Sequence, residues 1–175
     1  MRRVRFSVID RAKLVPMEAI PALKVVGLFL LTAAVLFGIG RTGIMYSQAL
    51  TGVIPLIIAG LTALVTGSIL TPLLLPLIPF RAFSLKGFVT GLIGAIGVVS
   101  LSPNCRSTPF LIAFCLISVP AFSSYLSFLF TGSSTYTSPS GVKSELKTAW
   151  PLYMVGAAVS AVLLILVFLQ FRGVL

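Results

Sequence analysis

The chain has 175 residues, of which 58% are hydrophobic and 9% charged, and a formal net charge of +10 at pH 7. Its mean hydropathy of +1.13 excludes an ordinary soluble domain, and the long uncharged apolar runs define an integral membrane protein. With no histidine and two cysteines, it lacks the usual haem ligand, the usual general base and the thiolates of a four-cysteine metal site.

The first thirteen residues, M-R-R-V-R-F-S-V-I-D-R-A-K, are basic and too broken for a signal peptide. Residues 14–22, with Pro16 and Pro21, read as an interfacial lead-in, so 1–22 form a basic cytoplasmic and interfacial segment ahead of a transmembrane domain over 23–175. The first span is placed at 23–39, with Lys24 near its start snorkelling to the headgroups. A polar turn over 41–48 follows. The second apolar stretch is too long for one straight crossing at about 1.5 Å per residue through ~30 Å of hydrocarbon. Pro72, Pro76 and Pro79 punctuate its end, so the span is placed at 49–70, with 71–80 as a broken interfacial or re-entrant tail.

The third span, 85–101, carries Gly87, Gly91, Gly94 and Gly97, read as a stripe for close helix packing. S-P-N-C-R-S-T-P at 102–109 is a turn, with Cys105 in it and Cys115 inside the next span, a separation that argues against a bridge. The fourth span, 110–130, has Pro120 at its middle. The carbonyl that Pro120 frees near Leu116 is expected to be softened by a hydroxyl such as Ser123 or Ser124. The fifth span is 152–171. The fold class is therefore an all-α integral membrane protein, a bundle of five transmembrane helices with a short interfacial helix before the last.

Between the fourth and fifth spans lies the least oily stretch of the chain. Thr131, Gly132, Ser133, Ser134, Thr135, Tyr136, Thr137 and Ser138 lead through Pro139 to Ser140, and every residue from Thr131 to Ser140 except Gly132 and Pro139 bears a hydroxyl. Ser138 has the character of an N-cap with Pro139 at the first helical position. Lys143 and Lys147 then share one helix face, and Pro151 is expected to bend the chain into the last span. With five spans and the N-terminus inside, Arg2, Arg3, Arg5, Arg11, Lys13, Lys24, Arg81, Lys86, Lys143 and Lys147 are cytoplasmic, against Arg41, Arg106 and Arg172 outside. This asymmetry follows the positive-inside rule and puts the hydroxyl-rich loop on the cytoplasmic side, as the docking surface for a partner. No Asp, Glu, Lys, Arg or His is expected deep in a span, which weighs against the alternative of a small-solute or metal-ion transporter or channel. No nucleic-acid module is legible.

The segment T-G-S-S-T-Y-T-S-P-S-G-V-K-S-E-L-K with the following A-W-P resembles the last cytoplasmic loop in the membrane domain of the mercury-methylating corrinoid protein family. R-A-F-S-L-K-G at 81–87 and D-R-A-K-L-V-P-M-E-A-I-P-A-L-K at 10–24 are similar to further parts of that domain. The resemblance implies a membrane anchor or docking platform in the inner membrane of a prokaryote, serving a cytoplasmic corrinoid-binding protein and a ferredoxin-like reductant. Corrinoid and iron-sulfur clusters are then implied in the partners alone. The family's Asn-x-Trp-Cys-Ala cap-helix motif has no counterpart here, so no catalytic, cofactor or metal residue carries over. The chain is expected to catalyse nothing by itself.

Overall fold

A computed structural model describes residues 8–40, 43–44, 46–75, 77–80, 82–133 and 139–173. The architecture is helical: α1 (Val8–Gly38), α2 (Tyr46–Leu64), a π-helical segment (Val65–Leu70) running into the single turn α3 (Thr71–Leu73), then α4 (Phe83–Leu101), α5 (Pro109–Ser133) and α6 (Pro139–Phe171). Among the described residues, five stretches are long and apolar enough to cross a membrane: Ala19–Gly38, Gly52–Leu73, Phe83–Leu101, Pro109–Leu129 and Val142–Phe171. Two-residue strands, β1 (Ile39–Gly40) and β2 (Gly43–Ile44), pair antiparallel in the link from α1 to α2, where the sequence reads only a polar turn. A 3-10 turn, Pro103–Arg106, joins α4 to α5.

Helix ends differ from span ends in a consistent direction. The lead-in is not a separate piece: α1 starts at Val8 and passes through Pro16 and Pro21. Likewise α6 passes through Pro151 without a break, so the expected short surface helix and final span are one element. A proline removes a single N–H from the ladder. For Pro151 the released carbonyl is that of Lys147, in the exposed polar end of the helix, away from the apolar middle where a missing donor costs most. Thr131, Gly132 and Ser133, read as loop, belong to the last turn of α5. Apolarity marks where hydrocarbon stops; a backbone ladder continues until something interrupts it.

The proline-rich tail does not cross the bilayer. After α3 the chain turns, with Leu74 N–H bonded to Leu70 O at 2.9 Å and Leu77 N–H to Leu74 O at 2.9 Å. Residues 77–80 and 82 are non-helical, and α4 begins at Phe83. The span count thus remains five.

The centre of the bundle is α5. It packs most extensively on α4 and also contacts α2 and α6, while α1 packs mainly on α2. Ala59, Ala63, Ala95, Leu111, Phe114, Cys115 and Val119 form the core where α2, α4 and α5 meet. Around the core, large apolar side chains such as Leu28, Ile93, Leu152 and Ile165 are exposed. In a soluble protein that surface would drive association; here it is the face that meets lipid.

Candidate functional site

Buried hydroxyls, not charges, hold the middle of the bundle. Thr66, Ser68, Thr71, Thr90, Ser123 and Ser127 are all buried. The π-helical segment shows why they are needed. Thr71 N–H reaches Thr66 O, five residues back. Continuing that register, the next donor would serve Gly67 O, but the next residue is Pro72, which has none. Ser127 Oγ of α5 donates to Gly67 O instead, at 3.0 Å. Thr71 Oγ1 donates to Thr66 O at 2.7 Å and shares a 2.7 Å hydrogen bond with Thr90 Oγ1 of α4. Thr66 Oγ1 lies 3.1 Å from Ser123 Oγ, whose own donor goes to Gly87 O at 2.8 Å.

These contacts correct the expectation for Pro120. Ser123 and Ser124 donate across to α4, to Gly87 O and to Ser84 O at 2.7 Å, rather than to the carbonyl near Leu116. The reason is directional. A helical hydroxyl reaches carbonyls three or four residues behind it, which from Ser123 and Ser124 stops at Val119 to Ala121, short of Leu116.

The four glycines of α4 do not share one neighbour. A Cβ at Gly87 would collide with the Ser127 side chain, and one at Gly91 would lie 2.6 Å from Ser123 Cβ and 2.8 Å from Pro120 Cα. Both positions face α5. At Gly94 the obstacles are Thr66 Cγ2 of the π-helical segment at 2.7 Å and Thr62 Cγ2 of α2 at 3.0 Å. Gly97 meets nothing within 4 Å among the described residues, so none of them needs a glycine there for close packing. At 3.6 residues per turn, steps of four, three and three carry Gly97 roughly 80° away from Gly87, off the contact face.

At the loop-side end, α6 is tied to α4. Glu145 Oε1 accepts from Ser84 N–H at 2.7 Å and from Ser84 Oγ at 2.6 Å. Ser84 is in the first turn of α4, whose N-cap, Ala82, has no side chain able to cap it. A carboxylate supplied by another helix therefore takes an orphan donor at the positive end of the α4 dipole. Tyr153 Oη extends the same contact to Ser124, lying 3.2 Å from its Oγ and donating to its carbonyl at 3.2 Å. Lys86 is buried in the adjoining turn, its Nζ donating to Leu75 O at 2.8 Å beside the Phe83 ring. Lys143 and Lys147 remain exposed on α6. Of the docking residues read from the sequence, 134–138 lie outside the described residues, as do Arg2, Arg3, Arg5, Arg41 and Arg81 of the charge count.

The two cysteines come together at the opposite end. Both are free and buried, and Cys105 Sγ lies 3.8 Å from Pro55 O. A hydrogen bond from Cys115 holds the Cys105 thiol below its ordinary pKa, against the opposing effect of burial. The sequence gives no sign of this contact, because the turn that folds Cys105 back onto α5 is set by tertiary packing.

An apolar cleft of about 490 Å³ lies between α1 and α6, floored by α2 and α5. The two outer helices meet at their C-terminal ends. There the Phe37 ring packs edge-on against Phe168 and Phe171, at 5.4 and 5.7 Å between centroids. Arg172 donates to Leu36 O at 3.3 Å. Towards the loop side they diverge, and Val25 and Phe29 of α1 face Trp150, Tyr153 and Met154 of α6 across the opening. Among the described residues, no three His, Cys, Asp or Glu side chains gather into a metal-binding group.

The fold and its lipid-facing surface define a multi-pass helical membrane protein. No protein-family model, curated protein or solved structure matches the chain, so the class is not narrowed to a family.

Proposed function

We propose that this chain is a membrane-embedded docking platform, with its N-terminus and the α5–α6 loop in the cytoplasm, that holds a soluble partner at the membrane surface. The observation that carries this reading is the build of the loop-side end. Glu145 is committed to α4, while Lys143 and Lys147 on the same helix stay exposed beside the hydroxyl-rich segment. Two exposed cations next to that segment in the chain favour an acidic partner, whose approach is accelerated by charge. The finer reading rests on the resemblance of the loop. On that reading the membrane is the inner membrane of a prokaryote, and the partners are a corrinoid-binding methyl-transfer protein and its ferredoxin-like reductant, acting on mercury.

The transporter alternative has less support. The buried hydroxyls are used in helix-to-helix bonds, and the cleft is apolar and narrows to an aromatic contact at its far end.

Two experiments test the proposal. Cysteine-accessibility labelling of intact cells should modify a cysteine placed at position 106 and spare one at 134; the reverse pattern overturns the orientation. Replacing Ser133, Thr135, Tyr136 and Thr137 together with Ala should abolish binding of a purified corrinoid-binding domain while insertion is unchanged. Normal binding by that variant would reduce the loop to a connector.

A further inference from the structure

We propose that the α1–α6 cleft is a lipid site, taking one acyl chain of an anionic phospholipid from the loop-side leaflet, with its headgroup neutralised by Lys24 and Lys147. This holds whether or not the loop docks a partner.

Chemistry of the walls comes first. The cleft's volume of about 490 Å³ falls within the ~300–1,000 Å³ of small-ligand sites, but its lining offers almost nothing to a polar ligand. Leu56, Ala59, Phe114, Val119 and Phe122 form the floor. Ser118, on the same wall, already donates to Phe114 O at 2.6 Å. The occupant must therefore be hydrocarbon along most of its length.

Access comes second. The opening runs between two membrane-spanning helices, and Val25, Phe29, Trp150 and Met154 on its rim are exposed to the surrounding lipid. From Trp150 to Leu164 the α6 wall covers about 21 Å. That exceeds one leaflet's half of the ~30 Å hydrocarbon core. A chain entering from the loop-side leaflet has room to lie along it, and the Phe37–Phe168 contact closes the other end.

Charge selects the headgroup. Lys24 immediately precedes the lining residue Val25 on α1, and Lys147 lies one turn before the lining residue Trp150 on α6; both lysines are exposed. The apolar stretch Val142–Phe171 has 30 residues, about 45 Å of helix, so its first turns must stand in the headgroup layer, where Lys143 reinforces Lys147. Glu145, the intervening acid, is bound to Ser84 on α4. Trp150 and Tyr153 at the mouth are the residue types favoured at headgroup level. A second copy of the chain in the same orientation would set its own lysines against these, so like charges oppose the cleft's being filled by another subunit.

Trp150 is the single tryptophan of the chain and sits at the mouth, which makes it a built-in reporter. The experiment reconstitutes the full chain in vesicles containing phosphatidylglycerol or phosphatidylcholine with brominated acyl chains and reads quenching of Trp150. The expected result is an apparent association constant about fivefold or more higher for phosphatidylglycerol, the weight of one or two lysines at an anionic headgroup. Lys24→Gln with Lys147→Gln should bring the ratio to about one. Ala157→Phe and, separately, Ala161→Phe fill the cleft from exposed positions on α6, and each should remove the preference while circular dichroism stays unchanged. Three results would overturn the site. One is no preference in the wild-type chain. Another is a preference that survives both filled clefts, which reduces it to surface enrichment. The third is a dimeric mass with Trp150 shielded from both lipids, which gives the cleft to a second copy.

Discussion

Gly91 and Gly97 lie less than two turns apart on α4, and the same substitution should act on them with opposite sign. A Cβ at Gly91 would stand 2.6 Å from Ser123 Cβ and 2.8 Å from Pro120 Cα, where carbon atoms pack best at about 3.5–4.0 Å. The missing ångström cannot come from a side-chain rotation, since one obstacle is backbone and the other is a Cβ. So α4 must withdraw from α5. Withdrawal by that much lengthens the 2.8 Å Ser123 Oγ to Gly87 O bond beyond hydrogen-bonding range. Overpacking of this kind costs about 1–3 kcal/mol, and an interhelical hydrogen bond in a membrane about 0.6 kcal/mol more. Against this stands the helix-propensity gain of Gly→Ala, about 1 kcal/mol. Gly91→Ala is therefore expected to be destabilising by up to ~2–3 kcal/mol. Gly97→Ala meets no atom within 4 Å and should keep most of the ~1 kcal/mol propensity gain. Thermal or SDS-induced unfolding of the detergent-solubilised variants measures both. Equal shifts at the two positions would mean that α4 does not present Gly91 to α5.

Further predictions follow from the polar contacts. Ser127→Ala leaves Gly67 O without a donor and should cost about 1–2 kcal/mol. Pro72→Ala supplies the missing N–H, so the double variant should recover part of the loss, a coupling that a double-mutant unfolding cycle detects. Glu145→Ala removes the carboxylate from the start of α4 and should lower stability by about 0.5–2 kcal/mol, and Ser84→Ala, which keeps the backbone N–H, should remove only the share owed to the Ser84 Oγ bond in the same assay. Cys115→Ala removes the bond that holds the Cys105 thiol below its ordinary pKa. The Cys105 pKa should therefore rise, and its alkylation profile in detergent should move to higher pH; an unchanged profile would mean that the two thiols do not interact.

Patterns that depend on apolarity and chain length were legible in the sequence: the five spans, the turn at 102–109 and the helix start at Pro139 all have local signals. What the sequence hid is set by partners distant along the chain. Ser123 reads as a donor within its own helix, and Ser127 as an ordinary small residue, until α4 and the π-helical segment bring Gly87 O and Gly67 O to them. Lys86 reads only as one of the cytoplasmic charges, whereas the Leu75 carbonyl that receives it is fixed by the turn after α3. The glycine stripe was legible as a spacing but not as a contact, since Gly87 and Gly91 meet α5 while Gly94 meets Thr62 and Thr66, and Gly97 turns off the contact face. The cleft left no trace in any local motif. It arises from two outer helices that converge at one end only, and neither helix records the other's position.

The hydroxyl donors of α5 also constrain how the protein is made. Ribosomes deliver α2 and α4 before α5, yet the donors to Gly67 O and Gly87 O reside on Ser127 and Ser123 of α5. Until α5 arrives, the carbonyl left open by Pro72 faces hydrocarbon with no donor from its own helix, a costly arrangement. Biogenesis of this bundle is thus a problem of waiting: α2 and α4 must be sheltered, by the insertion machinery or by water at its edge, until the fifth helix completes them. A nascent chain halted at Leu101 should remain cross-linked to that machinery and be degraded on release. One extended through Ser133 should leave it and resist proteolysis, and equal fates for the two would refute this order of assembly.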